Sequence, residues 1–217
     1  MKTIEKTVYN DNLFDRIFIA LFSRKMAQAV GKKHYLKGYQ GFVDLSQEIM
    51  KGRNAQQQQE LVSIVLKSLV PSPVLFLIRT LVTPNKWVCE SNAWFSTILF
   101  QWLVGKSTIQ EVEITTKNNQ IRKQKSGVKI EKCRYLEDSG CVGMCINMCK
   151  LPTQKFFTES FGIPLTMTPN FEDFSCEMVF GQYPPDLDTE EASKQPCLQN
   201  HCPTASTFSK PCPKIYD

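Results

Sequence analysis

Histidine is scarce in this chain. Only His34 and His201 occur among 217 residues, and no Ser/His/Asp set is in view to support nucleophilic catalysis. Long hydrophobic runs are missing as well. Residues 61–82 are interrupted by Lys67, Pro71, Pro73 and Arg79, and residues 93–105 are too few to cross about 30 Å of hydrocarbon. No membrane span is therefore expected. The stretch MKTIEKTVYNDNLFDRIF has no apolar core behind a basic start and no small-residue cleavage site, so it does not read as a secretory signal. Its acids, Glu5, Asp11 and Asp15, argue against an intact transit peptide. No internal repeat or nucleic-acid motif stands out, and the net charge of +5 suits solubility or contact with an anionic membrane surface.

Apolar patterning divides the chain into a helical region (1–109), a mixed α/β cysteine-rich region (110–182) and a Pro/Cys-rich tail (183–217), which together can form one domain. Residues 13–30 carry an apolar stripe at helical spacing, and 39–50 read as a second helix. Residues 56–59, all glutamine, are expected to begin a third helix on its exposed side. Pro71 and Pro73 break it before apolar patterning resumes at 74–81. Residues 94–104 are nearly all apolar and predict a helix buried on most sides. The period then changes to two: 110–115 and 128–132 alternate around a polar loop, which predicts an antiparallel hairpin with its turn at Asn118-Asn119 or Ser126-Gly127. A short helix at 141–149, a second at 153–161 with Pro152 at its start and Gly162 as its cap, and strands at 164–167 and 174–180 complete the reading. The fold class is α+β: N-terminal helices packed on a small antiparallel sheet, with a cysteine-rich C-terminal region. Charge is segregated too. Residues 117–134 hold seven bases and one acid, and 171–191 hold seven acids and no base. Two solvated faces that attract one another, or a basic hairpin touching membrane phosphates, would each account for this.

Cysteine is plentiful and unevenly placed. Eight of the nine fall between Cys133 and Cys212. In Cys133-x7-Cys141-x3-Cys145-x3-Cys149 the last three would form a stripe on one helix face, with Cys133 available as a fourth ligand. Four soft thiolates suit zinc or an iron–sulfur cluster, although the spacing matches neither zinc-ribbon knuckles nor ferredoxins. A packing stripe of small residues and a set of disulfides are the competing explanations. Cys176, Cys197, Cys202 and Cys212 follow, and His201 between two cysteines is a possible additional ligand.

Residues 132–185, from KCRYLEDSGCVGMCINMCK through FGQYPP, with the later PC…HCP at 196–203, resemble the signature of the Dwarf-27 β-carotene isomerases of plants and cyanobacteria. The resemblance implies reversible interconversion of all-trans and 9-cis β-carotene in strigolactone biosynthesis, with iron as cofactor. The cysteine pattern supplies Cys133, Cys141, Cys145, Cys149, Cys176, Cys197 and Cys202 as the candidate ligands for that metal. The resemblance also implies a carotenoid substrate, peripheral contact with membrane lipid, and a place in the cyanobacterial cytoplasm or plastid stroma beside the thylakoid or envelope membrane.

Such a substrate has no hydrogen-bonding group, so recognition must rest on shape and apolar burial. Phe14, Phe18, Phe22, Trp94, Phe95, Phe100 and Trp102 offer walls, and the helix at 13–30 could lie in a membrane interface. Rotation about a double bond requires its bond order to fall for a moment. A redox-active metal could exchange one electron with the polyene, whose bond alternation then weakens, whereas zinc could serve only as structure. Glu172 and Asp173 near Cys176 are either partners of that metal or exposed loop acids. Two other function classes fit the same residues: a non-catalytic metal- and carotenoid-binding protein, and a thiol–disulfide redox protein.

Overall fold

The computed structural model describes residues 6–115 and 121–195. Its first half is helical. α1 (Leu13–Ala29) starts at a reciprocal cap between Asn12 and Asp15, and α3 (Ala55–Leu69) at the same device built from Asn54 and Gln57. Between them lies α2 (Gly38–Met50), whose Phe42, Val43, Leu45 and Ile49 face the core. The Pro71 break leads into α4 (Ser72–Leu81), and Asn85 caps α5 (Lys86–Leu99).

Two expectations change here. Within the glutamine run, Gln58 is fully buried, because its amide donates to the Met50 and Arg53 carbonyls and accepts from Asn147 across the core. The apolar helix expected at 94–104 breaks at Phe100 into α5 and the single turn α6 (Gln101–Val104). Trp102 and Val104 are buried, but Trp94, Phe95 and Ile98 are exposed. The few polar residues of this run misled, since Ser96 is buried while Trp94, Phe95 and Ile98 face solvent, so its sequence could not say which side is the core side.

The second half begins with a hairpin of β1 (Ser107–Thr115) and β2 (Ile121–Ile130). Both strands are longer than alternation predicts. Ser126 and Gly127 lie inside β2 and do not form the turn, while Asn118 and Asn119 lie outside the described residues. Polar residues hide the pattern: Gln124 and Ser126 are buried and donate to the Phe180 carbonyl. Gly127 stands where the ladder slips between Gln110 and Val112, and a Cβ there would approach Val112 Cγ1 to 2.6 Å.

α7 (Arg134–Ser139) follows. A continuous helix then runs through a π-helical segment (Met144–Lys150), α8 (Leu151–Lys155) and a second π-helical segment (Phe156–Phe161), ending at left-handed Gly162. β3 (Leu165–Pro169) and β4 (Cys176–Phe180) complete a four-stranded antiparallel sheet in the order β1-β2-β4-β3. α5 packs on the sheet across β1, β2 and β4, and α8 packs on β3. The architecture is α+β, with helices on a small antiparallel sheet. Of the charge-segregated stretches, Lys129 and Glu177 are register partners, while Lys123 and Lys132 pair with Glu113 and Glu137.

The N-terminal segment is tied across α7. Arg134 pairs with Asp11 at 2.5 Å, donates to the Trp102 carbonyl and lies 3.5 Å over the Tyr39 ring. Replacing Arg134 by Leu should cost about 2–4 kcal/mol, because Asp11 and the Trp102 carbonyl lose their partner. Urea denaturation of the variant against the parent measures it.

Candidate active site

The helical half does not close on itself. α1, α3, the α5–α6 junction and the helix ending at Phe161 leave an apolar cavity of about 410 Å3. Phe18, Phe22 and Phe100 form part of its wall, as expected. Phe14, Trp94 and Phe95 are exposed, and Trp102 is sealed in the core against Phe22 and Phe42. Phe156, Phe157 and Phe161 also line it and were not foreseen. Their spacing in FFTESF was the available signal, but a helix with π turns moves residues off the α-helical face on which such spacing is judged. The few polar groups at the wall are Ser46, Tyr135, Cys149 and Thr153.

Cys149 and Tyr135 belong to a second enclosure as well. Four cysteines, Cys133, Cys145, Cys149 and Cys176, line a small void of about 20 Å3 together with Lys150. They come from three local features. Cys133 is the residue before α7, where the N–H groups of Tyr135 and Leu136 favour negative charge on its sulfur. Cys145 and Cys149 sit on the π-helical segment, whose wide turn keeps residues four apart on nearly one side. Cys176 opens β4, between Pro169 of β3 and Ile130 of β2. Cys141 is buried but does not line this void; it lies beside Gly143. None of the six described cysteines is in a disulfide. Cys197, His201, Cys202 and Cys212 fall outside the described residues. Glu172 and Asp173 are exposed; the Asp173 carboxylate accepts from the Ser175 N–H within the β3–β4 turn.

The donor chemistry of the void suits a thiophilic metal such as iron: four cysteines line one small, apolar space. As the side chains stand, no three His, Cys, Asp or Glu among the described residues are arranged to hold an ion. Ligation would need the sulfur atoms to draw inward.

Comparison with known proteins joins these two enclosures to a family. Residues 102–189 match the family model described as Beta-carotene isomerase D27-like, C-terminal. The chain is 43% identical over 199 residues to Beta-carotene isomerase D27, chloroplastic, of Medicago truncatula, covering 91% of this chain and 77% of that protein. It is 40% identical over 191 residues to the Arabidopsis thaliana protein of the same name, covering 87% of this chain and 70% of that one. This chain belongs to the β-carotene isomerase D27-like family. No solved structure matches it significantly. The matched D27-like region begins at Trp102 and so contains the whole thiol cluster but only part of the cavity wall.

In this D27-like chain burial dominates the titration of the cluster. It raises the Cys133 thiol to about 11 and Cys149 to about 12, and pushes Cys145 and Cys176 well above the ordinary 9.0. Neighbouring thiols add to the rise at Cys145, Cys149 and Cys176, and the Lys150 ammonium opposes it. Without a bound cation the four would be neutral thiols at physiological pH, poor nucleophiles in spite of their number.

The sign of the pH effect follows. The folded chain holds these protons more tightly than the unfolded chain, so the stabilisation is full below pH 9.0 and is lost as pH rises through about 11 for Cys133 and about 12 for Cys149. Chelator-treated protein should lose stability steadily across that window, by roughly 1 kcal/mol per pH unit for each of Cys133 and Cys149. Urea midpoints at pH 8 and pH 10 test this; Cys133→Ala should flatten the slope.

Proposed function

We propose that this protein is a β-carotene cis/trans isomerase that interconverts the all-trans and 9-cis forms, using iron held by Cys133, Cys145, Cys149 and Cys176. The observation that carries the reading is the shared wall. Cys149 and Tyr135 line both the apolar cavity and the thiol void, so a hydrocarbon in the cavity would lie directly against the cluster. The relatives named as β-carotene isomerases supply the reaction class.

Each part of the site has a task that follows from its chemistry. Phe18, Phe22, Phe156 and Phe157 provide aromatic surface against which a polyene packs, and they exclude water from it. Ser46 and Thr153 are the hydroxyl groups at the cavity wall, beside Tyr135. Burial pushes the Tyr135 phenol well above its usual range, so it stays neutral. Among the described residues of the wall, none is positioned as an acid–base pair on an unfunctionalised double bond. Iron bound by the thiolates would supply one-electron exchange with the polyene, lowering bond order during rotation with no net redox change. Lys150, beside the cluster, offsets the negative charge of ionised sulfur.

Because the substrate dissolves in lipid, the protein works at the surface of a membrane, and the chloroplastic relatives favour a plastid membrane. Protein expressed anaerobically with iron should carry iron and convert either pure isomer toward the same equilibrium mixture, followed by chromatography. Cys145→Ser should lose both metal and turnover, the latter by at least about tenfold. Bound pigment with a fixed isomer ratio would replace this reading with that of a carotenoid-binding protein. A thiol count that changes with reductant, and no metal, would replace it with thiol redox chemistry.

A further inference from the structure

α4 has no buried residue. One side of it, through Leu75, rests on the core and on the π-helical segment Phe156–Phe161 that walls the cavity. The other side is apolar and bare: Phe76 is 73% exposed, and Leu77 and Leu81 are more than half exposed. Trp87, 79% exposed, opens α5, and Trp94 is exposed two turns later, just ahead of Leu99 and Phe100 in the cavity wall. Leu21 of α1 is at once exposed and part of that wall. The exposed apolar surface therefore borders the cavity. So much aromatic and aliphatic area left in water marks a site that meets something else.

Charge says what that is. Residues 61–89 contain Lys67, Arg79 and Lys86 and no acid at all. All three bases are exposed, and the neighbouring acid Glu90 is engaged with the Lys125 N–H and with Lys86. Bases flanking exposed tryptophan and leucine match an anionic lipid interface, where indole rings settle at headgroup depth and basic groups meet phosphates. No single described helix is long and apolar enough to cross a membrane. α3 and α4 together reach the length and composition of a span, but are bent by 87° at their junction. That geometry suits shallow insertion of α4 and not a crossing.

We propose that α4 and the start of α5 insert into the interface of an anionic bilayer, bringing the cavity to the acyl region where a lipid-dissolved substrate resides. The nature of that cargo rests on the isomerase reading; the lipid contact does not. The expected docking element is thus α4–α5, in place of the α1 stripe or the basic hairpin that the sequence offered.

The test uses the full chain, first without carotenoid. It should float with vesicles of phosphatidylcholine containing phosphatidylglycerol, more weakly with phosphatidylcholine alone, and less at high salt. The variant Phe76→Ser/Leu77→Ser/Leu81→Ser alters only exposed side chains outside the cavity wall. It should melt at the parental temperature yet partition at least about tenfold less. Brominated acyl chains should quench the parent's tryptophan fluorescence, and Trp87→Phe should remove much of that quenching. Equal flotation of parent and variant overturns the proposal, as does absence of flotation with either lipid. A parent that self-associates, and a variant that does not, with no lipid binding by either, would assign the face to a second copy of the chain instead. With detergent-dispersed β-carotene the variant should match the parent, and with vesicle-embedded β-carotene it should be at least about tenfold slower. Flotation without turnover in detergent would sink the isomerase reading and leave the docking surface standing.

Discussion

One ammonium group holds the second half of this protein together. The Lys150 side chain is 2% exposed, and burying it would be prohibitive without partners. It has three: Glu190 at 2.7 Å, the Gln154 amide oxygen at 2.9 Å and the Met167 carbonyl. Those partners come from the stretch after β4, from α8 and from β3. Gln154 also accepts the Met167 N–H, so helix and strand are joined twice. The contact sets where the long helix sits over the sheet. Because Lys150 follows Cys149 directly, it also sets where the thiols lie.

That helix separates two unlike environments. Toward the sheet it presents Cys145 and Cys149, and toward α1 and α3 it presents Met148, Phe156 and Phe157. Its two π-helical segments are where the α-helical pattern gives way, and they carry the residues that serve both sides. The shared wall is thin, essentially a cysteine and a tyrosine. The proposed one-electron exchange would need this arrangement: a hydrocarbon and a soft centre close together, with water kept away from both.

Much of the fold was legible because it was written in local chemistry. Apolar periodicity placed the first helices, Pro71 placed a break, and Gly162 placed a helix end where φ is positive; the asparagine caps of α1, α3 and α5 became visible only in the structure. The hairpin was legible in kind but not in extent, since Gln124 and Ser126 are buried by bonds to the Phe180 carbonyl and polar residues on a core face break the alternation. The site was half legible. Cysteine spacing singled out the right segment but placed Cys141 in one stripe with Cys145 and Cys149, a grouping that assumes a regular α-helix. Cys176 joins the void through strand pairing, across a gap in sequence that no spacing rule spans.

By itself, then, the sequence determined what depends on near neighbours: the extents of the first two helices, the break at Pro71, the change to strand period, an α+β class, and a resemblance carried by residues 132–185. Only the tertiary structure decided which apolar residues are wall, core or surface, since Phe22, Trp102 and Trp94 read alike as aromatic residues and were assigned three different fates by packing. It alone placed Cys149 between two enclosures and left α4 bare. The reason is physical: burial and convergence are properties of distant segments brought together, and each chain segment taken alone contains only one side of every such contact.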